Sequence, residues 1–165
     1  MNSEGIDIYA NAGSARQRIL SILNRIKERR MLNIKESPSK VPFPVGRVEK
    51  RMSDYAKTNN IKMASKSIYM SDDRLTHATR PSKGKKNLVV SDADLSSFPS
   101  RRYMMNLYYD SHNKNFVYQD VKNKYIINPY YEIRTRNGKT RHVLMVTASI
   151  ITDINEFRMQ KYHRI

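Results

Sequence analysis

Tyr125–Ile151, YIINPYYEIRTRNGKTRHVLMVTASII, is the stretch that decides the fold. β-Branched and aromatic residues run up to Asn137-Gly138 and away from it, and Asn-Gly favours a two-residue type I′ hairpin turn. Strands are therefore predicted over Tyr125–Arg136 and Lys139–Ile151. Such a turn pairs Arg136 with Lys139, Arg134 with Arg141 and Glu132 with Val143. Alternation along the strands then gathers Glu132, Arg134, Arg136, Arg141, Thr147 and Ser149 on one face. Tyr131, Ile133, Leu144, Val146, Ala148 and Ile150 fall on the other, an apolar face suited to a core. Pro129 interrupts the first strand, so a bulge there would change the partners of Thr147 and Ser149. Like charges facing each other across a ladder, as Arg134 and Arg141 would, are destabilising unless an anion lies between them, and a phosphate suits that place.

Working outward, Met104–Tyr109 and Asn115–Gln119 read as two more strands, joined by the short polar connections DSHNKN and DVKNK. A meander of four antiparallel strands is the natural assembly. After it, Asp153 with Glu156 caps a final short helix through Phe157, ahead of the tail KYHRI. Upstream, Lys66–Met70 is a short strand. Ser71 then caps a helix whose first turn carries Asp72 and Asp73, and which stops near Arg80 because Pro81 follows. The loop PSKGKK separates this helix from Leu88–Val90. Ser91 and Asp94 open another helix, through Leu95 to about Pro99.

Further upstream, Gly46–Thr58 reads as a helix with Val48, Met52, Tyr55 and Ala56 on one face. SPSKVPFP, Ser37–Pro44, has three Pro in eight residues and reads as a linker. Ser14 and Gln17 form a capping box for a helix over Ala15–Met31, in which Ile19, Ile22, Leu23 and Ile26 recur at helical spacing. The other faces of that helix carry Arg16, Arg18, Arg25, Lys27, Arg29 and Arg30. The chain thus divides into an N-terminal helical arm with its Pro-rich linker, residues 1–44, and a main domain, residues 45–165. The fold class is α+β, with N-terminal helices packed on one face of a roughly four-stranded antiparallel sheet.

The 165 residues suit one domain, and 39% hydrophobic residues suffice for a real core. Lys and Arg number 31 against 15 Asp and Glu, a formal net charge of +16. Charge of that size calls for a polyanion, which means nucleic acid or an anionic membrane surface. The membrane is the weaker choice, because no apolar run approaches the ~20 residues that cross a bilayer. The opening MNSEGIDIYANAG lacks a basic segment followed by an apolar one, so export by this sequence alone is not expected. Cysteine is absent, and the four His form neither an HExxH pair nor part of a calcium-loop pattern, so no metal or other cofactor is expected.

His77 lies about 200° around its helix from Leu75 and so off that residue's buried face. It neighbours Asp73 and Arg80 at i−4 and i+3. An imidazole in that company can move a proton, with Asp73 to orient it and Arg80 to hold a phosphate. A lone helical His is, however, more often an ordinary surface residue.

The succession IKMASKSIYMSDDRLTHATRPSK, NLVVSDADLSSFP, MNLYYD, NFVYQD, KYIINPYYEIRTRNGKTRHVLMVTAS and KYHRI resembles the phage-associated nuclease domains grouped with barnase, EndoU, colicin and RelE-like toxins. The resemblance spans Ile61–Ile165 and rests on a short strand, a helix containing LTH, and a meander ending in the VTAS strand. It implies an RNase fold with helices on one sheet face and substrate on the other. The matching positions for catalysis are His77, Arg134, Arg141, Thr147 and Ser149. Arg80, Arg136, Tyr162 and His163 are substrate-binding candidates, His163 also being open as a second acid or base. The activity implied is a metal-independent endoribonuclease of the toxin type, cutting RNA, transfer RNA included, by 2′-OH transesterification to a 2′,3′-cyclic phosphate. The implied partners are RNA and an immunity protein, antitoxin or phage head protein, with no membrane, and the implied place of action is the cytoplasm of a host or target cell after delivery with a phage particle. The alternative is a non-catalytic basic protein that binds nucleic acid or serves a phage structure.

Overall fold

The computed structural model describes residues 4–35, 37–80 and 89–165, and for residues 4–12 the backbone alone. The loop PSKGKK and Leu88 lie outside the described residues. In chain order the elements are α1 (Glu4–Met31), β1 (Phe43–Arg47), α2 (Lys50–Thr58), β2 (Ser67–Met70), α3 (Asp72–Ala78), α4 (Asp92–Arg101), β3 (Asn106–Asp110), β4 (Asn115–Gln119), β5 (Asn123–Arg134), β6 (Thr140–Ile150) and β7 (Tyr162–Arg164). The fold is α+β, as the sequence implies. Its sheet has seven strands, in the order β1-β2-β6-β5-β4-β3-β7. The four-stranded meander is its centre, and every neighbouring pair is antiparallel except β2 and β6.

Two departures concern elements ahead of β2. The expected helix over Gly46–Thr58 begins only at Lys50, because Phe43–Arg47 is extended and pairs with β2 as an edge strand. Pro44 is tolerated there, next to the register shift between Pro44 and Gly46, where no ladder hydrogen bond is needed from it. Ser14 does not start α1, since the helix continues back to Glu4. Helix propagation needs only residues that do not break it, and Glu4–Gly13 contains no Pro.

One face of the sheet carries the main core. Ile68, Leu107, Phe116, Tyr118, Tyr125, Ile127, Leu144, Val146 and Ala148 meet Ala15, Ile19, Ile22, Leu23 and Ile26 of α1, Met52 and Ala56 of α2, Leu75 of α3, and Leu95 and Phe98 of α4. Phe98 stacks on Tyr125 at 4.3 Å and meets Tyr118 edge-on at 5.6 Å. Residues 15–31 of α1 therefore do not stand apart from the main core. The apolar stripe of α1 is part of the one core, and the expected boundary at 44 falls inside β1. A stripe of that kind is stable only when buried, and the helix-bearing face of the sheet is what buries it.

The opposite face carries a smaller cluster of Ile133, Val143 and Met145, flanked by Tyr69 and Tyr131. Farther along it, the C-terminal segment folds across: Phe157 packs on Tyr108 at 4.9 Å, and Glu156 binds Lys124. The helix expected there is a single 3-10 turn, Glu156–Arg158, and the tail continues as β7.

Candidate functional site

The β5–β6 hairpin decides which arginines can act together. Gly138 N donates to the Thr135 carbonyl at 3.0 Å, and Thr135 N to that of Lys139 at 2.8 Å. Gly138 has φ +74, whereas Asn137 is not among the residues with positive φ. A type I′ turn needs positive φ at both central residues, so this is instead a type I turn centred on Arg136 and Asn137, with Gly138 in the left-handed position after it. The loop gains a residue and the register moves by one: Arg134 pairs with Thr140, Ile133 with Arg141, Glu132 with His142 and Tyr131 with Val143. Arg134 and Arg141 are therefore not cross-strand neighbours and lie on opposite sides of the sheet. Tyr131 and Ile133 move to the face of Arg141, and the expected two-arginine phosphate clamp does not form.

A second irregularity, between Asn128 and Tyr131 around Pro129, shifts the register again, so that Ile126 pairs with Thr147 and Lys124 with Ser149. Thr147 and Ser149 do share a face with Arg141. At about 3.3 Å per strand residue they lie about 20 and 26 Å along β6 from it. Neither reaches the phosphate that Arg141 could hold.

What does gather at the α3 end of the sheet is a cationic and aromatic cluster. The Arg141 guanidinium lies 5.5 Å over the Tyr69 ring and donates to its hydroxyl at 3.4 Å. Arg74, from the first turn of α3, sits 6.0 Å over the Tyr131 ring. Between α3 and the end of β5 is a cleft of about 290 Å³ lined by Lys40, Ser71, Asp73, Tyr131, Glu132, Ile133 and Arg134. Local chemistry fixes its walls. Ser71 caps α3 by accepting from Arg74 N, and Asp73 N donates to the Ser39 carbonyl, tethering the loop that brings Lys40 in.

His77 is exposed on α3. Helical spacing puts it on one stripe with Asp73 and Arg74. The Asp73 carboxylate is engaged by Arg74 at 3.0 Å, so that carboxylate serves the arginine. Arg80 is exposed just beyond α3, its N–H on the His77 carbonyl. Arg136 is exposed at the hairpin tip.

The remaining candidates stand apart. Tyr162 is on edge strand β7, four strands from β6, which at about 4.8 Å per strand is about 19 Å. Its hydroxyl donates to Glu156 at 2.7 Å, and burial followed by that carboxylate raises its pKa above the usual phenol value, so it stays a fixed donor. His163 lies 3.3 Å from the Ser111 hydroxyl. No family model, curated protein or solved structure matches the chain.

Of the expected site, then, His77, Arg80 and Arg134 lie at the α3 end with Arg141 across the sheet from Arg134, while Thr147, Ser149, Tyr162 and His163 lie elsewhere. Lys40, Tyr69, Arg74 and Tyr131 join them unannounced by any motif. Tyr69 had one usable signal: in KSIYM it alternates with Ile68 and Met70 and so had to face away from the core. Among the described residues, no three His, Cys, Asp or Glu are placed to hold a metal ion, and no helix is long and apolar enough to cross a membrane.

Proposed function

We propose that this chain is an endoribonuclease of the toxin type, engaging RNA at the α3 end of its sheet and cutting by transesterification from the 2′-OH. The observation that carries the reading is the company His77 keeps: an exposed imidazole on the same helical stripe as Arg74 and Asp73, with Arg80 just beyond the helix end, Asp73 lining a cleft that bears Lys40 and Arg134, and two tyrosines at this end of the sheet faced by arginines. Arginine-faced aromatic rings suit bases of a single strand, and the guanidinium groups suit its phosphates. In this reading His77 withdraws the 2′-OH proton and the oxygen attacks the adjacent phosphorus, while the P–O5′ bond breaks and the departing 5′-oxygen takes a proton from the His77 imidazolium or from water. Arg74 and Arg134 then offset the charge that grows on the non-bridging oxygens. The nucleophile belongs to the substrate, so the chain need supply only proton transfer and positive charge.

A test is incubation of the purified chain with single-stranded RNA in EDTA. Cleavage to 2′,3′-cyclic phosphate ends is expected, lost in His77→Ala while RNA binding persists. Activity that needs an added divalent metal would overturn the mechanism. A non-catalytic RNA-binding protein is the second reading, favoured by the engagement of Asp73 with Arg74 and by the distance of Thr147 and Ser149 from the cluster. Binding with no cleavage under any of these conditions would select it.

A further inference from the structure

We propose that Arg30, from α1, and Arg80, just beyond α3, form a phosphate-binding site beside His77. The inference deepens the RNA reading, on which it rests for the bearer of the phosphate and not for the site itself. The last carbonyls of a helix lack donors from within it. Arg30 supplies them to α3, donating through Nη1 to the Thr79 carbonyl at 3.0 Å and through Nη2 to that of Thr76 at 3.1 Å. These two residues bracket His77 and Ala78, so the guanidinium of α1 is held at the His77 turn. Arg80 follows Thr79 directly, its N–H on the His77 carbonyl at 3.3 Å.

Among the described residues the charge at this point is not compensated by a carboxylate. Arg29 has its carboxylate, Asp72, at 3.0 and 3.2 Å, and Asp72 is further committed to the Thr76 hydroxyl. Among the described residues neither Arg30 nor Arg80 has a carboxylate partner. Burial, then repulsion from Arg80 and Arg29, pulls the Arg30 guanidinium below its usual pKa range. A helix cap alone requires one cation, and the second, repelling it, is what an anion would bridge. A guanidinium has five donors, of which Arg30 spends two on carbonyls, so donors remain for a phosphate oxygen.

The experiment is a titration of the isotope-labelled full chain with inorganic phosphate, followed by NMR at the His77 ring and the Arg30 Nε. Both signals should move saturably. Arg30→Gln, which keeps an amide donor for the carbonyls, and Arg80→Gln should each weaken phosphate several-fold, and Arg30→Lys should retain most of it. Should Arg30→Gln not fold, Arg80→Gln, whose side chain caps nothing, still decides. Unmoved signals, or unchanged phosphate affinity in Arg80→Gln, overturn the site. With a single-stranded RNA oligonucleotide, each lost phosphate contact should reduce the salt-dependence slope by about 0.7. RNA bound with an undiminished slope overturns the site and leaves the nucleic-acid reading standing. Phosphate binding without RNA binding supports the site and overturns that reading.

Discussion

Arg102 is 1% exposed, the largest side chain the fold buries fully. Its Nε donates to the Pro99 carbonyl and its Nη2 to the Tyr103 hydroxyl, which leaves the group little freedom to move. Room for it comes from Gly46, where a Cβ would stand 2.7 Å from Nη2. Gly46→Ala should therefore cost about 1–3 kcal/mol, as overpacking does, and a urea midpoint equal to wild type would refute the constraint. Asp110 is the second informative residue. Burial opposes its charge, but hydrogen bonds from Asn113 and His112 and the Lys161 ammonium outweigh it, so its carboxyl lies below the usual range. A lowered carboxylate pKa contributes stability above the unfolded value of about 3.9, and that contribution is lost as pH falls through the folded value. The stability difference between wild type and Asp110→Asn should shrink on acidification below about pH 4. A difference constant with pH would mean the carboxylate's charge contributes nothing.

At the scale of elements, α1 has the most to lose. It buries Ala15, Ile19, Ile22, Leu23 and Ile26 in the main core and ties itself to α3 through Arg29 and Asp72 and to α4 through Lys27 and Asp92. A chain beginning at residue 45 should not unfold cooperatively. Leu23→Ala alone should cost about 2–5 kcal/mol by denaturant titration. A folded, stable fragment 45–165 would show that α1 is an appendage after all. The hairpin is the other decisive element, since one added loop residue reverses which side Arg134 faces. Short-range chemistry announces a turn at Asn137-Gly138, but the choice between a two-residue and a three-residue loop turns on which register buries Val143 and Ile133 together.

The whole molecule is polarised. The α3 end of the sheet gathers Arg74, Arg134 and Arg141, while the far end holds a cavity of about 340 Å³ whose lining includes Asp110, Asp153 and Glu156 with Lys124 and Lys161. Thr147 and Ser149, about 20 and 26 Å along β6 from Arg141, lie away from the cationic end. If the chain cleaves RNA, His77→Ala should lower the rate by about 10²–10⁴, the range for removing a general base. Thr147→Ala and Ser149→Ala should leave it little changed. Rates measured on one oligonucleotide for the three variants check this, and a large loss at Thr147 or Ser149 would move the chemistry along the sheet.

What the sequence by itself determined is everything that local chemistry controls. Ser71 and Ser91 cap α3 and α4 as their side chains require, accepting from Arg74 N and Asp94 N at 3.1 Å each. Period 3.6 picked out the buried stripe of α1, and period 2 placed Leu144, Val146 and Ala148 in the core. The tertiary structure alone decided β1 and β7, which are strands because an edge lay free to pair with them, and the parallel meeting of β2 with β6, which joins residues more than seventy positions apart. It also decided which residues stand together at the candidate site: Arg30 reaches the Thr76 and Thr79 carbonyls across 46 and 49 positions, and Arg141 comes to Tyr69 across 72. Such meetings depend on the crossing of α1 over α3 and on a ladder register set by burial, and neither leaves a mark within any one stretch of the chain.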